Sequence, residues 1–247
     1  MGRMVDGAWV TDEALGRVTD GAWERTPSVV RGWLGTEEFP AEAGRYHLYV
    51  AWNCPWAHRA LLGRAVLGLE DALPASFVAP RRTDQGWVFD PEAGFEDRLD
   101  GRAAPHEVYA AGDPHYSGRV TVPLLVDTGT GRLVSNESAD ILRMLHTAMA
   151  PFAARPLTLR PEEVAEEIDA WSERIHTGLN NGVYRAGFAE KQAAYDAAVE
   201  DVFATLDALE ARLEGRSFVV GERLTETDLR LFPTLARFDV AYYLAFR

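Results

Sequence analysis

The chain has 247 residues, 47% of them hydrophobic, and a formal net charge of -13. That length suits one large domain or two small ones, and the acidic balance argues against nucleic acid, whose phosphates most of the surface would repel. No apolar run reaches membrane-span length, Met1 to Asp6 carry no signal-peptide core, and a single cysteine allows no internal disulfide and fits a reducing cytosol.

Residues 1–45 read as an irregular N-terminal arm. Within it Asp6-Gly7-Ala8-Trp9 recurs as Asp20-Gly21-Ala22-Trp23. Two copies of four residues do not make a solenoid; they read as two turns, each dropping a tryptophan onto a domain surface. From Tyr46 a domain spanning 46–149 begins. Tyr46 to Ala51 is an apolar run that predicts a buried strand. Ala60 to Leu69 predicts an amphipathic helix, with Leu61, Leu62, Ala65, Val66 and Leu69 on one stripe. Ala75 to Ala79 is a second strand. A long polar stretch from Pro80 to Gly118 reads as a loop of the length that often carries function. Val122 to Asp127, the turn Thr128 to Gly131 and Arg132 to Ser135 make a β-hairpin. A helix with Ile141, Leu142 and Leu145 follows Ser138. The order βαβ…ββα is that of a thioredoxin-like domain.

Residues 150–160 read as a linker, and 161–247 as a helical domain. Pro161-Glu162-Glu163 is a helix start with acid in its first turn. Ala189 to Leu213 carries Tyr195, Val199, Val202, Phe203, Leu206 and Leu209 at helical spacing. Thr225 to Asp228 has capping-box spacing, with Leu224 and Leu229 placed as a hydrophobic staple. The expected class is therefore α/β followed by all-α.

Three features of the first domain carry chemistry. Cys54, the only cysteine, stands between a strand and a helix, with Pro55 at the favoured first helical position. A sulfur at the positive end of a helix has its pKa lowered and is present as thiolate; the other reading is an inert, buried thiol. Val122-Pro123 puts a proline at a strand head. A cis bond would turn the Val122 backbone toward an extended peptide, whereas the proline alone favours a plain trans edge residue. Glu137-Ser138 precedes a helix, with Ser138 as N-cap, either a structural cap or an anion site. Together they describe a site for a small thiol peptide: the Ser138 helix start for a carboxylate, Val122 for the peptide backbone, Cys54 for the sulfur. His58 lies one turn beyond Cys54, but two ligands without partners make no metal site.

Phe39 to Val50 with Cys54-Pro55-Trp56-Ala57-His58-Arg59, Tyr116 to Pro123, Ser135 to Ile141, Asn180 to Ala189, and Asp228 to Phe232 resemble, in order, the glutathionyl-hydroquinone reductases, the Xi class of glutathione transferases. The resemblance runs from about residue 39 onward. It implies a thioredoxin-like domain followed by a glutathione-transferase-type helical domain, and reduction of S-glutathionyl-hydroquinones through a cysteine–glutathione mixed disulfide. It implies Cys54 as the catalytic cysteine. It further implies Trp87, Val122, Pro123, Glu137 and Ser138 as glutathione contacts, and Tyr184 and Tyr242 as lining of the hydroquinone pocket. Without it, Trp87 reads equally as a gap filler and the tyrosines as helix packing. Glutathione is the implied co-substrate, with another small thiol as the alternative, and a cytoplasmic homodimer is the implied assembly.

The pattern departs from the family in two places. Val240 stands where the family has proline. The family's helical domain also continues beyond the position of Arg247, into further helices and another pocket tyrosine. Residues 161–247 thus predict an incomplete bundle with apolar faces exposed. The competing reading is a non-catalytic thiol-binding or interaction module of the same fold.

Overall fold

A computed structural model describes residues 2–11 and 16–245. The chain divides into two units, one comprising Met1–Ala14 and Pro27–Leu157, the other Leu15–Thr26 and Thr158–Arg247. The expected irregular arm opens instead with two hairpins, one in each unit, while residues 25–45 form no helix or strand, as expected. Strands β1 (Gly2–Val5) and β2 (Ala8–Thr11) pair antiparallel, as do β3 (Arg17–Thr19) and β4 (Ala22–Glu24). Asp6-Gly7 and Asp20-Gly21 supply the turns, with φ of 47° and 74° in the first and 51° and 83° in the second. Two successive positive φ values define the tight hairpin turn whose twist matches its strands, which Asp-Gly favours. Residues 12–15 of the expected arm lie outside the described residues.

In the first unit, β5 (Tyr46–Val50) is buried at every position. Helix α1 (Pro55–Leu67) follows and ends at Gly68, whose φ of 64° is the left-handed cap that glycine takes at least cost. Strand β6 (Ala75–Phe77) pairs parallel to β5, which completes a βαβ unit. The polar stretch after it is not one loop. It holds the small hairpin β7 (Arg82–Thr83) and β8 (Gly86–Trp87), helix α2 (Pro105–Gly112) and β9 (Gly118–Arg119). Strand β9 pairs with β1, tying the first hairpin to the segment that leads into Val122. Then β10 (Leu124–Asp127) and β11 (Leu133–Ser135) form the expected hairpin, and the main sheet has the order β11-β10-β5-β6. Helix α3 (Ser138–His146) buries Ile141, Leu142 and Leu145.

The buried face of α1 is not the predicted one. It comprises Ala57, Arg59, Ala60, Gly63 and Leu67, while Ala65 is exposed. The small residues let α3 approach: a Cβ at Gly63 would lie 2.5 Å from Leu142 Cδ1.

The helical unit begins with a short 3-10 turn over Glu162–Val164, then α4 (Ala165–Arg174). A π-helical turn over Ile175–Asn180 leads into α5 (Gly182–Gly187). The long helix α6 (Gln192–Leu213) starts three residues later than its stripe predicts, and Phe203 on that stripe is exposed. Thr225 and Asp228 cap α7 (Glu226–Leu235) through the expected reciprocal hydrogen bonds. The unit's core gathers Ile168, Ile175, Leu179, Val202, Leu209 and Leu231. Phe232, Val240 and Leu244 are exposed. No helix among the described residues is long and apolar enough to cross a membrane.

Candidate active site

Cys54 is the N-cap residue of α1, with extended backbone (φ −88°, ψ 116°) and Pro55 at the first helical position. Its N–H donates to Ala51 at 3.2 Å and its carbonyl accepts from His58 at 3.0 Å, so the turn is closed on both sides. Asn53 Nδ2 fastens the same turn to the Pro80 carbonyl at 2.9 Å. The Cys54 side chain makes no capping hydrogen bond to the helix. Its Sγ donates instead to the carbonyl oxygen of Val122 at 3.3 Å, and the residue is 9% exposed. The sulfur thus sits at the positive end of a helix and against a backbone acceptor.

The Val122-Pro123 bond is cis, contrary to the trans residue that the proline alone favours. A buried polar cluster holds the approach to it. The Tyr109 hydroxyl donates to the Thr121 carbonyl at 3.0 Å and accepts from Asn136 Nδ2 at 3.2 Å. Asn136 Oδ1 in turn accepts from the Val30 N–H at 3.3 Å. One cluster therefore links the segment before Val122 with the residue preceding Glu137.

The cap of α3 is Glu137, not Ser138. The longer side chain folds back so that its Oε1 accepts the Ala139 N–H at 3.1 Å, which leaves Ser138 as the first helical residue. Ser28 donates to Glu137 Oε2 at 3.0 Å. Burial pushes the Glu137 carboxyl up. The Ala139 and Ser28 hydrogen bonds and the charges of Arg59 and Arg31 outweigh it and hold the group below the usual carboxylate range. Arg59, only 2% exposed, donates to Ser138 Oγ at 3.4 Å and lies 4.5 Å from the Trp56 ring centroid. The first unit thus brings together Cys54 with Val122, and Glu137 with Ser138. Trp87 is buried in β8 with the Arg82 guanidinium 4.3 Å from its ring.

In the helical unit Tyr184 and Tyr242 meet. Their rings are 5.7 Å apart and edge-on, and their hydroxyls are 3.4 Å apart. Trp23 of β4 is buried and stacks on Tyr184 at 6.1 Å, so the second Asp-Gly-Ala-Trp copy lays its tryptophan against the helices of its unit. Among the described residues no group of three or more His, Cys, Asp or Glu could hold a metal ion.

Sequence reasoning missed Ser28, Tyr109, Asn136 and Arg59 as supports of the site. Arg59 and Asn136 stand inside blocks that resemble the family, yet nothing in their spacing marks a buried partner. Ser28 lies in a segment read as irregular.

A thioredoxin-like unit with a cysteine helix-cap beside a proline-headed strand, and a helical unit in the same chain, are the parts of a glutathione transferase. The models of the glutathione S-transferase N-terminal and C-terminal domains match residues 53–148 and 192–247. Glutathionyl-hydroquinone reductase PcpF of Sphingobium chlorophenolicum is 44% identical over 248 residues, covering 100% of this chain and 79% of that protein. Glutathionyl-hydroquinone reductase YqjG of Escherichia coli is 42% identical over 258 residues, with the same coverage. The Xi class enzyme from Natrialba magadii superposes with a TM-score of 0.89 at 40% identity, covering 98% of this chain and 75% of that one. The glutathione-bound structure of YqjG gives 0.88 at 40% identity, covering 99% and 77%. The chain belongs to the glutathionyl-hydroquinone reductase family, the Xi class of glutathione transferases.

Proposed function

We propose that this chain reduces S-glutathionyl-hydroquinones to hydroquinones, with glutathione as the reductant. The observation that carries the reading is the Cys54 sulfur at the start of α1 against the Val122 carbonyl, in a chain 44% and 42% identical to two proteins that bear this activity in their names.

Glu137, kept ionised, takes the α-ammonium group of glutathione, and Ser138 its carboxylate. The Val122-Pro123 segment pairs with the peptide backbone and Trp87 packs on it. The Cys54 thiolate then attacks the sulfur of the aryl thioether. A sulfur–sulfur bond forms, the sulfur–aryl bond breaks, and its electron pair stays on the ring carbon. That carbanion is a poor leaving group unless the ring first becomes its keto tautomer. Phenols donating to the ring oxygens favour that form, the role given to Tyr184 and Tyr242. A proton then completes the hydroquinone. A second glutathione, as thiolate, attacks the mixed disulfide and releases oxidised glutathione and free Cys54 thiolate. Cys54 is the only cysteine of the sequence, so the resolving thiol comes from outside the chain. The single cysteine also suits the reducing cytoplasm, and family resemblance supports a homodimer.

The test is turnover of S-glutathionyl-1,4-hydroquinone with glutathione, together with intact-mass analysis after oxidised glutathione. The reading expects one glutathione adduct on the unaltered chain, none on Cys54→Ala, and no turnover by that variant. Equal rates for the two proteins would overturn it.

A further inference from the structure

The second Asp-Gly-Ala-Trp hairpin and Asn181 of the Asn180-Asn181 pair are sequence features that the proposed chemistry leaves without a role, and they meet at one residue. Arg25 follows β4 directly. Its Nε donates to Asn181 Oδ1 at 2.7 Å. Its guanidinium carbon lies 4.7 Å from the centroid of the Tyr184 ring and 5.2 Å from that of Trp23. Trp23 and Phe188 both stack on Tyr184, each at an interplanar angle of 27°. Asn181 is itself held, since its Nδ2 donates to His176 Nε2 at 2.9 Å. The hairpin that delivers Trp23 and Arg25 is fixed at its tip. The Glu190 N–H donates to the Gly21 carbonyl at 2.9 Å, and Lys191 pairs with Asp20. Gly21 has a φ of 83° and a Cβ there would lie 2.4 Å from Lys191 Cγ, so the tip fits only as glycine.

We infer that Arg25 is a positioning residue for the Tyr184 phenol. A cation over an aromatic face is attracted by the ring quadrupole, and the bond to Asn181 fixes where that cation sits. The ring is thereby held in one orientation, with its hydroxyl aimed at that of Tyr242. Arg25 touches no reacting atom; it acts through Tyr184. The inference rests on the proposed role of Tyr184 in binding the hydroquinone.

The experiment is a double-mutant cycle of Arg25→Gln with Tyr184→Phe, read as kcat on S-glutathionyl-1,4-hydroquinone and as hydroquinone binding followed by tryptophan fluorescence. Gln keeps a donor for Asn181 and loses the charge; Arg25→Lys keeps the charge and serves as the rescue variant. Arg25→Gln should lower kcat about tenfold, as loss of orientation does, while leaving KM for glutathione unchanged. In the Tyr184→Phe background the same change should cost less than about twofold, because the hydroxyl it positions is gone. Arg25→Lys should recover most of the loss. Equal losses in both backgrounds, or Lys no better than Gln, overturn the inference. If the unaltered chain binds hydroquinone without turnover, the reductase reading fails and the cycle is read on binding alone. If it does neither, the inference fails with that reading.

Discussion

The Cys54 sulfur and the Val122 carbonyl oxygen are 3.3 Å apart, with the thiol as donor. That contact opposes ionisation, because the carbonyl stabilises the S–H form and repels the thiolate, while the α1 start favours the anion. A peptide N–H arriving at Val122 would occupy the same carbonyl and release the sulfur. S-methylglutathione, from which attack at sulfur could expel only a methyl carbanion, serves as an unreactive peptide probe and is therefore expected to lower the pKa of the Cys54 thiol. Thiolate absorbance at 240 nm across a pH series, with and without the ligand, measures it. A pKa unmoved or raised at saturation contradicts the coupling.

Glu137 predicts a pH profile for glutathione affinity. Its carboxyl is held below its ordinary 4.5, so the folded protein keeps it charged at pH values where an unfolded chain has begun to protonate it. For folding stability, a lowered folded-state pKa makes the group's contribution complete above 4.5 and lost only as the pH falls through the lower folded value; for binding, the folded protein simply keeps the charge at and above 4.5. Calorimetric affinity should stay level from pH 7 to about pH 5 as far as this group is concerned. Glu137→Gln should weaken binding at pH 7 by at least about tenfold, as loss of a charged hydrogen-bond partner does. An unchanged affinity in that variant would remove Glu137 from the binding role.

Tyr184→Phe and Tyr242→Phe should each lower kcat by about a hundredfold, the scale of a lost general acid, without changing glutathione adduct formation on Cys54. Parallel steady-state and mass measurements separate the two effects. A variant that forms the adduct poorly would place its tyrosine in thiol binding instead.

Gly63 makes a prediction about stability. Gly63→Ala gains about 0.5–1 kcal/mol of helix propensity, but forcing a methyl against Leu142 costs about 1–3 kcal/mol, so the net loss should be roughly 1 kcal/mol. Leu142→Ala alone should lose about 2–5 kcal/mol. The double variant should lose less than the sum, because the added methyl fills part of the space that the leucine vacates. Urea denaturation midpoints give all three values, and strict additivity would rule out the contact.

What could be read in the sequence tracks how locally each element is determined. Strand β5 and the β10–β11 hairpin are legible because an uninterrupted apolar run, or two runs around Thr128 to Gly131, leave few alternatives. The α1 face was not, because Ala57, Ala60 and Gly63 bury by being small rather than by being greasy. Helix α2 announces itself only by Pro105 at its first position, inside a stretch whose Gly and Asp content suggests coil. The two Asp-Gly turns were visible, but their strands are three or four residues long, and β1 finds its second neighbour in β9, over a hundred positions away. In the site, Cys54, Val122 and Glu137 stand at element boundaries and can be located by pattern. Arg59 cannot, since a charged residue on a helix reads as solvent-facing until Ser138 and the Trp56 ring are seen around it.

Lys191 carries the only side-chain amine in the sequence, and that amine is engaged with Asp20 at the tip of the β3–β4 turn. Acylation of this nitrogen by a succinimidyl ester therefore reports on one place in the molecule. Its rate, followed by peptide mass mapping, becomes a built-in gauge of how firmly the hairpin that carries Trp23 and Arg25 is clasped, in any variant and without a probe having to be engineered in.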